Sequence, residues 1–349
     1  MSETITTHAQ ALRKTVEAMT APGKGIVALD ESNPTCTQRF EAVGAGSSPE
    51  TRRQYREMLL SAAGAENHIS GAILYDETLR QSFSDGTPFP AALVARGQVP
   101  GIKVDTGAKP LAGAPGEKVT EGLDGLRERL AEYHALGARF AKWRAVIAIG
   151  KGGLPSRLCQ QANAHALARY AALCQEAGIV PMIEPEVLIQ GDHDIERCQA
   201  VTTSTLQTVF SALYTHRVLL EGVILKTSMV ISGLDAPRRA GVEEVADRTV
   251  TTLKRCLPAA LGGVVFLSGG QGNQESTAHL NAMNQRWGNQ VPWPMTFSYA
   301  RALQQPALEI WRGQAERAQQ AQAAFAFRAQ MNGLAASGKY SESLEAQAA

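Results

Sequence analysis

Eight short apolar runs, nearly all ending in a charged or hydroxyl-bearing residue, constrain what this chain can fold into more than any other feature. In order they read GIVALD, GAILYD, GIKVD, FAKWRAVI, GIVPMIE, GVILK, GVVFLSGG and MTFSYAR. Segments of helical periodicity separate them, and such alternation points to a parallel sheet with helical crossovers. Eight parallel units in 349 residues favour a closed (β/α)8 TIM barrel over an open sheet. The sequence therefore predicts one domain over 1–349, with a core at about 22–335 and a small, polar, mobile tail at 336–349. Leu12, Val16 and Met19 fall at helical spacing and predict an amphipathic N-terminal helix on the outside of the fold. The Gln/Ala-rich ERAQQAQAAFAFRAQ reads as a further exterior helix.

The polar ends of the runs are Asp30, Asp76, Lys103, Lys142 with Arg144, Glu184 with Glu186, Lys226, Ser268 and Arg301. In a barrel all of them gather at the C-terminal mouth, where active sites of this fold are built. Lys142 and Arg144 are separated by one residue and point to the same side, as do Glu184 and Glu186. Two like pairs can be buried only if they face each other.

Lys226 follows Val223, Ile224 and Leu225 and would project into an apolar interior. A lysine amine withdrawn from water loses part of its preference for the ammonium form and can attack a carbonyl. A lone lysine after a strand more often opens a solvated loop; it is the company of the other strand ends that favours the interior placement. Two lysines, two glutamates and one aspartate at one mouth suit imine chemistry on a phosphorylated carbonyl compound. The competing reading is a salt-bridge network that only plugs the barrel.

LSGGQG, Leu267 to Gly272, follows the seventh run directly. Consecutive glycines bare their backbone N–H groups and Ser268 adds a hydroxyl, while Arg301 after the eighth run would supply a bidentate charge. Phosphate sites in these barrels are often built from the loops after strands seven and eight. In GDHDIERC, His193 between Asp192 and Asp194 resembles a metal site, but adjacent residues rarely chelate one ion, so a turn and helix start is expected. Trp143 and Trp293 are expected to pack in the core.

Composition removes other classes. A net charge of +1, without long runs of one sign, predicts neither a nucleic-acid partner nor a membrane surface. No apolar run approaches the ~20 residues that cross a bilayer. MSETITTHAQ reads as no signal peptide. Cys36, Cys159, Cys174, Cys198 and Cys256 lack C-x-x-C spacing, so neither a zinc site nor a disulfide framework is expected, and a reducing cytoplasm fits.

With these residues in view, the sequence resembles the class I fructose-bisphosphate aldolases, the metal-independent Schiff-base family, and most closely their plant-like branch. The resemblance runs from GKGIVALDESNPT at Gly23 to GKY at Tyr340 and includes GIKVDTG, FAKWR, EPEVL, EGVILK, FLSGGQ and FSYARALQ. It implies that Lys226 is the imine lysine, Glu184 the general acid/base, and Asp30 the carboxylate that assists carbon–carbon cleavage. Lys142 would tune the imine lysine, and Glu186 would hydrogen-bond the network. Ser268, Gly269, Gly270, Tyr299, Ala300 and Arg301 match the site for the C1 phosphate. Ser32, Thr35, Arg39, Lys103 and Arg144 match positions that hold the rest of the sugar and the distal phosphate. The resemblance further implies sugar-phosphate substrates, no metal or other cofactor, a cytoplasmic location and a homotetramer. Departures are Thr227, where proline is usual, Gln38 in place of a frequent lysine, and Ala349, where many members end in tyrosine. Another Schiff-base aldolase or a transaldolase would need one phosphate set rather than two, and a non-catalytic barrel would not need Lys226, Glu184 and Asp30 together.

Overall fold

The computed structural model describes residues 3–348. All eight apolar runs form strands: β1 Gly25–Leu29, β2 Ile69–Leu74, β3 Val99–Lys103, β4 Phe140–Ile147, β5 Val180–Val187, β6 Ile224–Thr227, β7 Gly263–Phe266 and β8 Met295–Tyr299. They pair in parallel in chain order, and β8 returns to β1 with Ile26 opposite Ser298, so the sheet closes into a barrel. The crossover segments supply the outer helices, among them Arg157–Glu176, Ile195–Thr215, Val242–Cys256 and Asn273–Trp287.

Alternation along each strand gives the barrel an inner and an outer face. Ile26, Ala28, Ile73, Phe140, Val180, Met182, Ile224 and Val265 form one buried cluster inside it. Phe140 fills more than its own share of this floor because β2 and β3 carry glycine beside it. A Cβ on Gly101 would lie 2.2 Å from the Phe140 ring. On the outer face Trp143 packs against Tyr170, ring centroids 5.5 Å apart, and the Tyr170 hydroxyl donates to Ala141 O at 2.6 Å. Trp143 and Trp293 are both buried core residues.

The N-terminal helix, Glu3–Met19, corrects one expectation. Leu12, Val16 and Met19 are buried in the same cluster as the barrel interior, so the helix lies across the N-terminal opening instead of joining the outer ring. Glycines permit the close approach: a Cβ on Gly262 would lie 2.7 Å from Val16 Cγ1. An apolar stripe in sequence gives the width of the surface a helix covers, not which surface it is.

Two further segments depart from the sequence reading. An antiparallel hairpin, Gly107–Pro110 with Lys118–Glu121, interrupts the β3 crossover and stands beside the barrel mouth. Thr120 Oγ1 donates to Arg144 O at 2.7 Å and Asn163 Nδ2 to Lys118 O at 2.9 Å, which ties it to β4 and the following helix. The C-terminal segment, expected to be mobile, is docked and forms a 3₁₀ helix over Glu342–Ala348. Arg328 Nη1 donates to both carboxylate oxygens of Glu345 at 2.6 Å, and Tyr340 is buried and donates to Glu345 at 3.0 Å. One aromatic anchor and one ion pair offset the ordering cost that the small polar composition suggested. Ala349 lies outside the described residues.

Candidate active site

A cleft of about 710 Å³ opens at the C-terminal ends of the strands. Within two residues of the apolar floor the inward positions turn ionic: Phe140 is followed by Lys142, Met182 by Glu184, and Ile224 by Lys226. Leu225 pairs with Ile183, which sets Lys226 beside Glu184. Lys226 Nζ lies 3.2 Å from Glu184 Oε1, Lys142 Nζ lies 3.1 Å from Glu184 Oε2 and 2.6 Å from Asp30 Oδ2. All four side chains are at least nine-tenths buried apart from a slightly more open Asp30.

The four charges cancel, which is what permits their burial. Burial alone would raise the Asp30 carboxyl, but Lys142 and Lys226 overcome it and hold the pKa at about 2. Glu184 shows the same balance: burial raises it, and Lys142 and Lys226 bring it below the ordinary value. Burial would lower Lys142, and Asp30 and Glu184 reverse that and raise it. Lys142 is therefore a fixed cation, bracketed by two carboxylates. Glu184 is within proton-transfer distance of the Lys226 amine.

On one side of this centre Lys103 Nζ pairs with Asp105 Oδ1 at 2.8 Å, and Arg144 pairs with Glu186 through Nε. Ser32 stands at the N-terminal boundary of the helix Asn33–Glu41 without a capping bond from its hydroxyl, which lies 3.0 Å, oxygen to oxygen, from Thr35. On the other side the loop after β7 carries Ser268, with Gly269 at φ 59° and Gly270 at φ 94°. These left-handed conformations suit glycine and turn the backbone into a concave strip facing Arg301.

Asp30, Ser32, Thr35, Lys103, Lys142, Arg144, Glu184, Glu186, Lys226, Ser268, Gly269, Ala300 and Arg301 all line the cleft. Gly270 sits just behind, its Cβ position 3.5 Å from Arg301 Nη2. Arg39 does not line it: its guanidinium is engaged by Glu31 and by Gln304 Oε1 at 3.1 Å. The Tyr299 side chain faces the outer core, and its hydroxyl donates to Ser276 O at 2.9 Å, so only its backbone is left toward the cleft. Alternation explains this, because Ser298 is the inward residue at that level. Ser298 lines the cleft with a buried hydroxyl that makes no hydrogen bond, and period-two counting back from Ala300 would have found it. Asp105, the last residue of the run GIKVD, and Arg129, which carried no sequence signal beyond its charge, also line the cleft.

The remaining motif behaves as a helix start: Asp194 accepts from Arg197 N at 2.7 Å and caps Ile195–Thr215. Among the described residues no group of three or more His, Cys, Asp and Glu side chains is placed to hold a metal ion. No described helix is long and apolar enough to cross a membrane.

Comparison with known proteins agrees with this architecture. The family model for fructose-bisphosphate aldolase class-I matches residues 11–349. A probable fructose-bisphosphate aldolase class 1 of Xanthomonas campestris pv. campestris is 58% identical over 332 residues, covering 95% of this chain and 98% of that protein. The cytosolic fructose-bisphosphate aldolase 5 of Arabidopsis thaliana is 48% identical over 340 residues, with 97% and 94% covered. A solved fructose-bisphosphate aldolase of Plasmodium falciparum, in complex with TRAP and a small-molecule inhibitor, superposes with a TM-score of 0.94 at 43% identity over 96% of both chains. A matching family model over nearly the whole length, a 58% identical relative and a shared barrel lead to one conclusion: the chain belongs to the class I fructose-bisphosphate aldolase family.

Proposed function

We propose that the chain carries out the reversible cleavage of fructose 1,6-bisphosphate through an imine on Lys226. The observation that supports this reading most strongly is the single Glu184 carboxylate set between two buried lysines, 3.2 Å from Lys226 and 3.1 Å from Lys142. Lys226 Nζ attacks the C2 ketone, and loss of water gives a protonated imine that serves as an electron sink. Glu184 accepts the C4 hydroxyl proton as the C3–C4 bond breaks. The electron pair passes to C3 and the imine, and glyceraldehyde 3-phosphate departs. Protonation of the enamine at C3, then addition of water to the imine, releases dihydroxyacetone phosphate and the free lysine. Asp30 orients the substrate hydroxyls, and Lys142 bridges the two carboxylates. Glu186 fixes Arg144.

In the same reading Ser268, Gly269, Gly270 and Arg301 hold the C1 phosphate, with Tyr299 and Ala300 contributing through the backbone. Lys103, Arg144, Ser32 and Thr35 hold the distal half, and Arg39 reaches it only through Glu31. The reaction needs no metal or other cofactor. A single folding unit, a homotetrameric assembly and a cytoplasmic location belong to this proposal, and exposed Val94 and Tyr214 are in keeping with surface that another subunit covers. Borohydride added with dihydroxyacetone phosphate tests the centre: activity is lost and the added mass maps to Lys226. Mass on Lys142, or a rate that collapses with a chelator, overturns the assignment.

A further inference from the structure

Behind the loop proposed to hold the C1 phosphate lies a buried chain of polar groups that no step of the reaction uses. Gln271 Nε2 donates to Ser268 O at 2.9 Å, and the Gln271 backbone N donates to the same oxygen at 3.0 Å. The other end of the carboxamide is engaged too: Gln271 Oε1 lies 2.6 Å from His279 Nδ1. Gln271 is 7% exposed and His279 3%. His279 stands on the helix Asn273–Trp287, so the chain runs from that helix to the carbonyl of Ser268.

The hydrogen-bond directions are determined by the chemistry. Ser268 O can only accept, so the amide NH2 faces it and Oε1 faces the imidazole. His279 must then carry a proton on Nδ1 and donate it. Burial holds the His279 pKa down at about 4, which keeps the ring a neutral donor near neutral pH. The carbonyl of Ser268 is thereby held by Gln271 at the point where Gly269 and Gly270 take positive φ. Their N–H groups are aimed by this anchoring, since glycine alone leaves them free to turn.

We infer that Gln271 and His279 are positioning residues for the phosphate loop, with His279 fixing the orientation of the Gln271 amide and Gln271 fixing the backbone of Ser268 to Gly270. Neither touches substrate. The inference rests on the proposal that this loop binds the C1 phosphate.

The test compares borohydride trapping on dihydroxyacetone phosphate with trapping on dihydroxyacetone, which forms the same imine but has no phosphate to place. Gln271→Met and His279→Leu should raise the half-saturating dihydroxyacetone phosphate concentration by roughly tenfold, the scale of one lost buried hydrogen bond. They should leave trapping by dihydroxyacetone unchanged and weaken competition by inorganic phosphate to the same extent. His279→Asn, whose Nδ2 can donate in place of Nδ1, should restore near-native binding. An equal shift for both ketones, or no shift for either, overturns the inference. Ser268→Ala separates the two levels: if it too leaves phosphate binding untouched, the phosphate assignment fails and takes the inference with it. If only the Ser268 variant shifts, the loop binds phosphate and the positioning role alone is wrong.

Discussion

The floor and the mouth of this barrel are built by the same strands, with the same alternation, from opposite chemistry. At the floor Phe140, Met182 and Ile224 meet in an apolar cluster, and two residues further along each strand, about 7 Å, stand Lys142, Glu184 and Lys226. The floor is held by dispersion and exclusion of water, so its members are interchangeable within limits of volume. The mouth is held by charges that cancel only as a set, so none can be removed alone without stranding another. The contrast teaches where substitutions should read out: in stability alone below, in activity together with stability above.

The most severe break comes at the mouth. Lys226→Met should lower cleavage by roughly 10⁴-fold or more, the scale of deleting a covalent nucleophile, while the protein stays folded. Steady-state cleavage alongside thermal melting checks this, and retained turnover would end the division proposed here. At the floor Phe140→Ala should cost about 3–5 kcal/mol of stability, since Gly101 beside it has no side chain to collapse into the space. Denaturant unfolding measures it; a cost below about 1 kcal/mol would mean that the floor is not tightly packed. Glu184→Gln should lower kcat by roughly 10²-fold or more. Normal turnover in that variant would assign proton transfer elsewhere.

The smallest expected effect is a dependence on acid. The pKa of Asp30 is depressed to about 2 from an ordinary 3.8, so its stabilising share is full above 3.8 and lost as the pH falls through about 2. That share is on the order of 2 kcal/mol. Glu184, also lowered, adds in the same direction. Unfolding free energies between pH 2 and 5 should therefore fall more steeply for the native chain than for Asp30→Asn. Parallel curves would show that the Asp30 carboxylate contributes no pH-dependent stability.

Most of the barrel was legible because a strand buried on both faces must be written as an apolar run, and the mouth was legible because a charge at the end of such a run has few other reasons to be there. Lys226, Glu184 and Asp30 were found in that way. What was not legible depends on direction in space. Tyr299 and Ser298 are adjacent in sequence, and only the phase of the alternation decides which of them enters the cleft. Arg39 carries the right charge, but Glu31 claims it first, a pairing that local sequence does not specify. The hairpin at Gly107 and the docked segment after Tyr340 are polar and short, so each is held by a few long-range contacts such as Thr120 to Arg144 and Arg328 to Glu345. Periodicity is blind to contacts of that kind.

The Phe140 ring, seated in the volume that Gly101 leaves vacant, has a consequence for how such a chain can change over time. Enlarging Gly101 first drives a Cβ to 2.2 Å from the ring, and shrinking Phe140 first opens a void beneath the lysine at 142. Each single step is costly, whereas the paired exchange, a smaller residue on β4 with a larger one on β3, is not. Two neighbouring strands are thus bound into one hereditary unit at this level. A lineage that departs from the arrangement must cross a less stable intermediate or carry spare stability from elsewhere in the fold.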